Sequence, residues 1–151
     1  MENVEILNKI ISQFQNYYKQ MIISSGHNAS GNLANTQSFD VSYNNNVWTI
    51  TLKMADYWKW LEYGRRPGKM PPVEALMQWI KVKKVLPRSR KTGRFLPHKQ
   101  AAFAMAKSIA KRGLPATHLL SKSMSNFDFK HKVLGAIFQI YKAQLDAIFE
   151  D

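Results

Sequence analysis

The chain has no cysteine among its 151 residues. That excludes disulfides, thiolate chemistry and cysteine-ligated zinc or iron–sulfur centres. No apolar run approaches the ~18 residues that a membrane-spanning helix needs. The first residues, MENVEILNK, carry Glu2 and Glu5 where an export signal carries positive charge. The expectation is a chain that stays in solution and is not exported. Acidic residues are scarce: ten, against 22 Lys and Arg, for a formal net charge of +12. The scarcity is local. Residues 75–127 hold twelve Lys and Arg and no Asp or Glu, while the rest of the chain balances to zero. A block of one sign faces a polyanion, faces an acidic protein partner, or serves as a solubilising face.

Catalytic constellations are also missing. His27, His98, His118 and His131 show neither an i, i+4 pair nor zinc-ligand spacing. Neither G-x-x-x-x-G-K-[ST] nor G-x-G-x-x-G occurs, so no loop is built to cradle phosphates. In the middle of the chain the carboxylates are Asp40, Asp56, Glu62 and Glu74; their spacing does not exclude a carboxylate pair, but nothing in the sequence brings two of them together for acid–base work. Asp56 and Glu62 are expected to pair with nearby cations or to hold loop amides. The expectation is no metal, no cofactor and no enzymatic activity.

What is present is a sequence of short elements. Val4, Leu7, Ile11, Phe14, Tyr18 and Met21 recur at steps of three and four. They predict a helix over about residues 3–23 with that stripe facing the core, or a heptad seam to a second copy. A Gly/Ser/Asn loop follows, with one turn around Leu33. Residues 38–43 and 47–54 alternate apolar and polar around Asn44, Asn45 and Asn46. Asn tolerates left-handed backbone, so these segments predict a β-hairpin. Residues 55–63 either prolong the sheet or form a helical turn with Tyr57, Trp60 and Leu61 inward. Pro71 and Pro72 open a helix whose apolar face is Val73, Leu76, Met77 and Ile80.

Residues 85–97 contain two prolines, a glycine and four cations, and predict an exposed or disordered basic loop. A helix over residues 98–112 stops at Gly113 and Pro115. Thr117 stands in position to cap a short turn through Leu119 and Leu120. A last helix, residues 128–149, is expected to bury Leu134, Ile137, Tyr141, Leu145 and Ile148. The fold class is therefore α+β. Residues 1–151 form one domain, a small antiparallel sheet packed against about four helices, with long helices at both ends.

Residues 62–72, EYGRRPGKMPP, put two glycines and three prolines directly after the aromatic run Tyr57, Trp58, Trp60. The order of motifs here resembles the tail-completion, or neck, proteins of tailed bacteriophages. Ser30-Gly31 and Leu33 are followed by a hairpin and then Tyr57 through Glu62, Tyr63, Gly64, Arg65, Arg66 and Pro67. Next come a Pro-Pro helix start with Ala75 through Trp79 and Ile80, Ala102 through Ile109 to Gly113, and Pro115 to Thr117. The resemblance spans roughly residues 30–120, and the 85–97 insertion and the last helix stand outside it.

That resemblance implies a non-enzymatic virion subunit, assembled in the host cytoplasm as a homo-oligomeric ring between portal-bearing head and tail. Its implied partners are portal or adaptor and tail proteins, and DNA passing through the lumen, with no membrane. The implied subunit-interface residues are Tyr57, Trp58, Trp60, Tyr63, Arg65, Arg66 and Pro67, since aromatics and arginines dominate interface anchors. Lys81, Lys83, Lys84, Arg88, Arg90, Lys91, Arg94 and Lys99 would line the DNA channel or meet an acidic collar. Two other classes compete. One is a non-sequence-specific nucleic-acid-binding protein; the other, a basic nuclease or toxin, finds no triad or metal set.

Overall fold

α1 (Glu2–Ser24) buries Leu7, Ile11, Phe14, Tyr18 and Ile22, a stripe that drifts so that Ile22, rather than Met21, closes it. The computed structural model describes residues 2–27, 31–56 and 58–149; Tyr57 and residues 28–30 of the first polar loop lie outside them. The single turn α2 (Asn32–Asn35) adds buried Leu33 and Ala34. β1 (Ser38–Asn44) and β2 (Val47–Lys53) then pair antiparallel, from Ser38 opposite Lys53 to Asn44 opposite Val47. Asn45 and Asn46 take φ of 50° and 62°, the two left-handed positions of a type I′ turn. That turn fixes the register and sends Phe39, Val41, Trp48 and Ile50 to the core face.

α3 (Trp58–Tyr63), α6 (Leu119–Asn126) and α7 (Phe129–Phe149) complete the main core with α1. Phe14 stands at its centre. Its ring lies 4.6 Å from Phe129, 5.4 Å from Phe127, 5.7 Å from Phe39 and 6.1 Å from Tyr18. α4 (Val73–Val82) and α5 (His98–Arg112) pack on each other and on no other helix or strand to a comparable extent. Ile80, Ala101 and Ala102 form their own small core, and the alanines let the two helices approach closely. The α4–α5 pair is thus an arm joined to a body. The fold class is α+β, with seven helices among the described residues and one two-stranded sheet.

Three local expectations are corrected. Trp60 faces outward, 54 % exposed, because α3 is a helix and its inward positions are Trp58, Leu61 and Glu62. α7 buries Phe129, Val133, Ala136 and Ile140, with Ile137 at the margin, while Leu134, Tyr141, Leu145 and Ile148 face solvent. The helix carries two apolar stripes, and Phe129 against Phe14 selects the other one. α6 runs eight residues rather than one turn, and its first amides are held by Glu62 and not by Thr117. The segment 85–97 takes the exposed alternative. Arg88 and Phe95 bridge, Arg88 lies 4.4 Å over the Phe95 ring, and Ser89 and Leu96 donate to Arg94 and Pro87 carbonyls.

Candidate functional site

The root of the arm is the stretch 62–72 crossing the α5–α6 link. Glu62 is buried, and its carboxylate accepts from the Leu120 amide at 2.8 Å, the Ser121 amide at 3.2 Å and the Ser121 hydroxyl. An acid at a helix start satisfies orphan N–H groups and opposes the helix dipole. The Leu61 carbonyl accepts from both the amide and the hydroxyl of Thr117, at 3.0 and 2.6 Å. Arg65 and Leu114 form an antiparallel bridge, and the Gly68 amide donates to Ala110 at 2.8 Å. Gly64 and Gly113 make this crossing possible. A Cβ on Gly64 would stand 2.5 Å from the Leu114 carbonyl oxygen, and one on Gly113 would stand 2.1 Å from that of Arg65. Both residues hold positive φ, of 72° and 74°. The Pro/Gly stretch is therefore first a rigid splice between body and arm.

Beside the splice lies an open cleft of about 890 Å³ between arm and body. Its walls are Trp60, Leu61, Trp79, Val82, Leu114 and Pro115, with Ala75, Gln78, Thr117 and His27 completing them. No lining residue carries a carboxylate. Cations stand at its edge. The Arg65 guanidinium lies 5.5 Å over the Trp60 ring and donates to the Lys69 carbonyl at 2.6 Å, and Lys83 donates to the Gly26 carbonyl at 2.6 Å.

No protein-family model, no curated protein sequence and no solved structure matches this chain.

The charge of the arm follows from its sequence. Residues 73–112 hold eleven Lys and Arg and a single acid, Glu74. Among the described residues Lys53 pairs with Asp40 at 2.8 Å and the His131 ring contacts the Asp128 carboxylate at 2.5 Å, both outside the arm. Lys81, Lys83 and Lys84 sit at the end of α4, Arg88, Arg90, Lys91 and Arg94 at the tip, and Lys99 in the first turn of α5. The predicted polyanion-facing set is thus gathered on one projection.

The predicted interface set is not gathered so neatly. Tyr57 lies outside the described residues. Trp58 is half-buried against the main core, its ring 6.0 Å from Tyr63. Trp60 enters the cleft, Tyr63 is 68 % exposed, Arg65 is half-buried, and Arg66 and Pro67 face solvent. Sequence reasoning missed Trp79 as a cleft wall, and it read the outward stripe of α7 as the core-facing one. Leu134, Phe138, Tyr141, Leu145 and Ile148 are indeed spaced as one helical face, but Phe129, Val133, Ala136 and Ile140 are spaced as another, and it is the latter that is buried.

Two phenols and one lysine are shifted. Burial, with a smaller push from the nearby Glu62 charge, raises the Tyr18 hydroxyl to about 12. The hydrogen bond between Tyr43 and Tyr141, at 3.4 Å, raises Tyr43, and the Asp40 pair raises Lys53. None of these stands in the cleft or on the arm. Among the described residues no three His, Asp or Glu side chains group as a metal site, and no helix is long and apolar enough to cross a membrane.

Proposed function

We propose that the chain is a structural subunit of a tailed-bacteriophage virion, forming a ring at the neck or tail top around the DNA channel. The ordered motifs from Gly31 to Thr117 support this reading. The observation that carries it is the division of the molecule. A projection with one acid against eleven cations stands beside a body whose outward apolar faces are unfilled. An arm of that charge suits a channel through which DNA moves, because loose and distributed phosphate contacts do not stall transit. The splice keeps the arm in one orientation, which lowers the entropy lost on association. Portal or adaptor proteins above and tail proteins below are the partners of this reading, with assembly in the host cytoplasm.

Electron microscopy of the purified protein, alone and mixed with portal and tail proteins, tests it. Closed rings with a central opening are expected; particles of monomer size in every mixture would overturn it. A second reading, a free nucleic-acid-binding protein without sequence preference, draws on the same unpaired arm cations. It predicts tight, salt-dependent DNA retention by a protein that stays monomeric.

A further inference from the structure

The outward stripe of α7 and the arm–body cleft are complementary features on separate parts of one chain. Tyr141 still reaches the hairpin through its hydroxyl contact with Tyr43, but from Lys142 to Ile148 every residue of α7 is exposed, so the helix overhangs the body by about two turns, ~10 Å. Leu145 and Ile148, 55 % and 68 % exposed, form an apolar ridge on that overhang. The cleft offers a concave apolar wall of Trp60, Trp79 and Val82, each more than a third exposed.

Charge favours this pairing. Residues 142–151 contain three acids, Asp146, Glu150 and Asp151, against the single Lys142. The carboxyl end of a helix adds a partial negative charge of its own. The cleft has no acid in its lining and is edged by Arg65 and Lys83.

We infer that the overhanging turns of α7 around Leu145 and Ile148 from one copy seat in the Trp60–Trp79 cleft of the next copy. This rests on the ring reading and names the contact that builds the ring. Ridge and cleft lie at different places on the chain, so each copy gives one and receives one. Such a head-to-tail contact repeats until it closes as a ring or runs on as a filament. Leu145 and Ile148 fill the cleft, the tryptophans are the anchors, and the basic edge faces Asp146 and the negative end of the helix dipole.

The test uses two full-length variants, Ile148→Asp on the ridge and Val82→Glu in the cleft, with sedimentation velocity as readout and circular dichroism to verify folding. Both positions are exposed, so both proteins keep the wild-type spectrum. Each alone sediments as monomer, with the concentration for half-assembly raised about 30-fold or more. Mixed in equal amounts they form a one-to-one dimer and nothing larger, because one intact ridge meets one intact cleft. If Val82→Glu assembles like wild type while Ile148→Asp does not, α7 pairs with α7 and the inference fails. If both assemble normally into rings, the inference fails and the ring reading stands. If the mixture stays monomeric, or wild type never self-associates, the inference is overturned. Wild-type monomers that also ignore portal and tail proteins remove the ring reading with it.

Discussion

The backbones of Arg65 and Leu114 exchange two hydrogen bonds, 2.9 Å from the Arg65 amide and 2.7 Å from the Leu114 amide. This exchange holds the arm to the body, and two glycines make room for it. Gly113→Ala would drive a Cβ onto the Arg65 carbonyl, at backbone that strains L side chains. We expect a loss of about 3 kcal/mol or more in urea unfolding, from strain and overpacking together. Gly93→Ala at the tip meets nothing within 4 Å and holds φ of 69°, so only the backbone cost of roughly 1–2 kcal/mol remains. Equal losses at the two sites would contradict this assignment.

Glu62 holds α6 from across the splice. Glu62→Ala leaves the Leu120 and Ser121 amides without their acceptor, and the expected cost is about 1–3 kcal/mol. Glu62→Gln retains acceptor capacity on one oxygen and should lose less. Hydrogen exchange localises the effect: the first turn of α6 should lose protection before α1 does.

Tyr18 predicts behaviour in alkali. Its folded pKa is raised from 10.0 to about 12, so the fold prefers the neutral phenol. Stability from this group is fully present below about pH 10, and is lost as pH rises from there toward 12. Thermal unfolding across pH 8–12 should show that decline, and Tyr18→Phe should flatten part of it. An unchanged slope in the variant would place the alkaline loss elsewhere.

The arm predicts a salt signature. Replacing Arg88, Arg90 and Lys91 with alanine should reduce the slope of log binding constant against log salt by up to about 2–3 on duplex DNA. Retention that does not weaken between about 50 and 200 mM salt would contradict phosphate contact.

Much of the fold was legible because its signals are local. Asn45 and Asn46 announce the hairpin turn, and Gly113 followed by Pro115 stops α5 at Arg112. The role of Glu62 in holding amides was also readable, though the amides are those of a helix far along the chain. What was illegible depends on tertiary choice. α7 has two apolar stripes at equally good spacing, and only the packing of Phe129 and Val133 on α1 decides which is covered. Trp60 was expected inward because the segment was open between strand and helix. Once it is helical, Trp58, Leu61 and Glu62 take the inward positions and Trp60 turns to the cleft. The cleft itself arises from where the splice sets the arm, which no periodicity encodes. The gathering of the basic residues, by contrast, follows directly from the acid-free run, since contiguous sequence folds here into one projection.

The claim beneath these predictions is that the charged arm and the unfilled apolar faces exist to meet other copies and other macromolecules. Native mass spectrometry over a range of concentrations measures this most directly. The account predicts a closed species at a fixed integer multiple of the 17.4 kDa chain, favoured as concentration rises. A single 17.4 kDa species at every concentration, unchanged when portal, tail proteins or DNA are added, would contradict it.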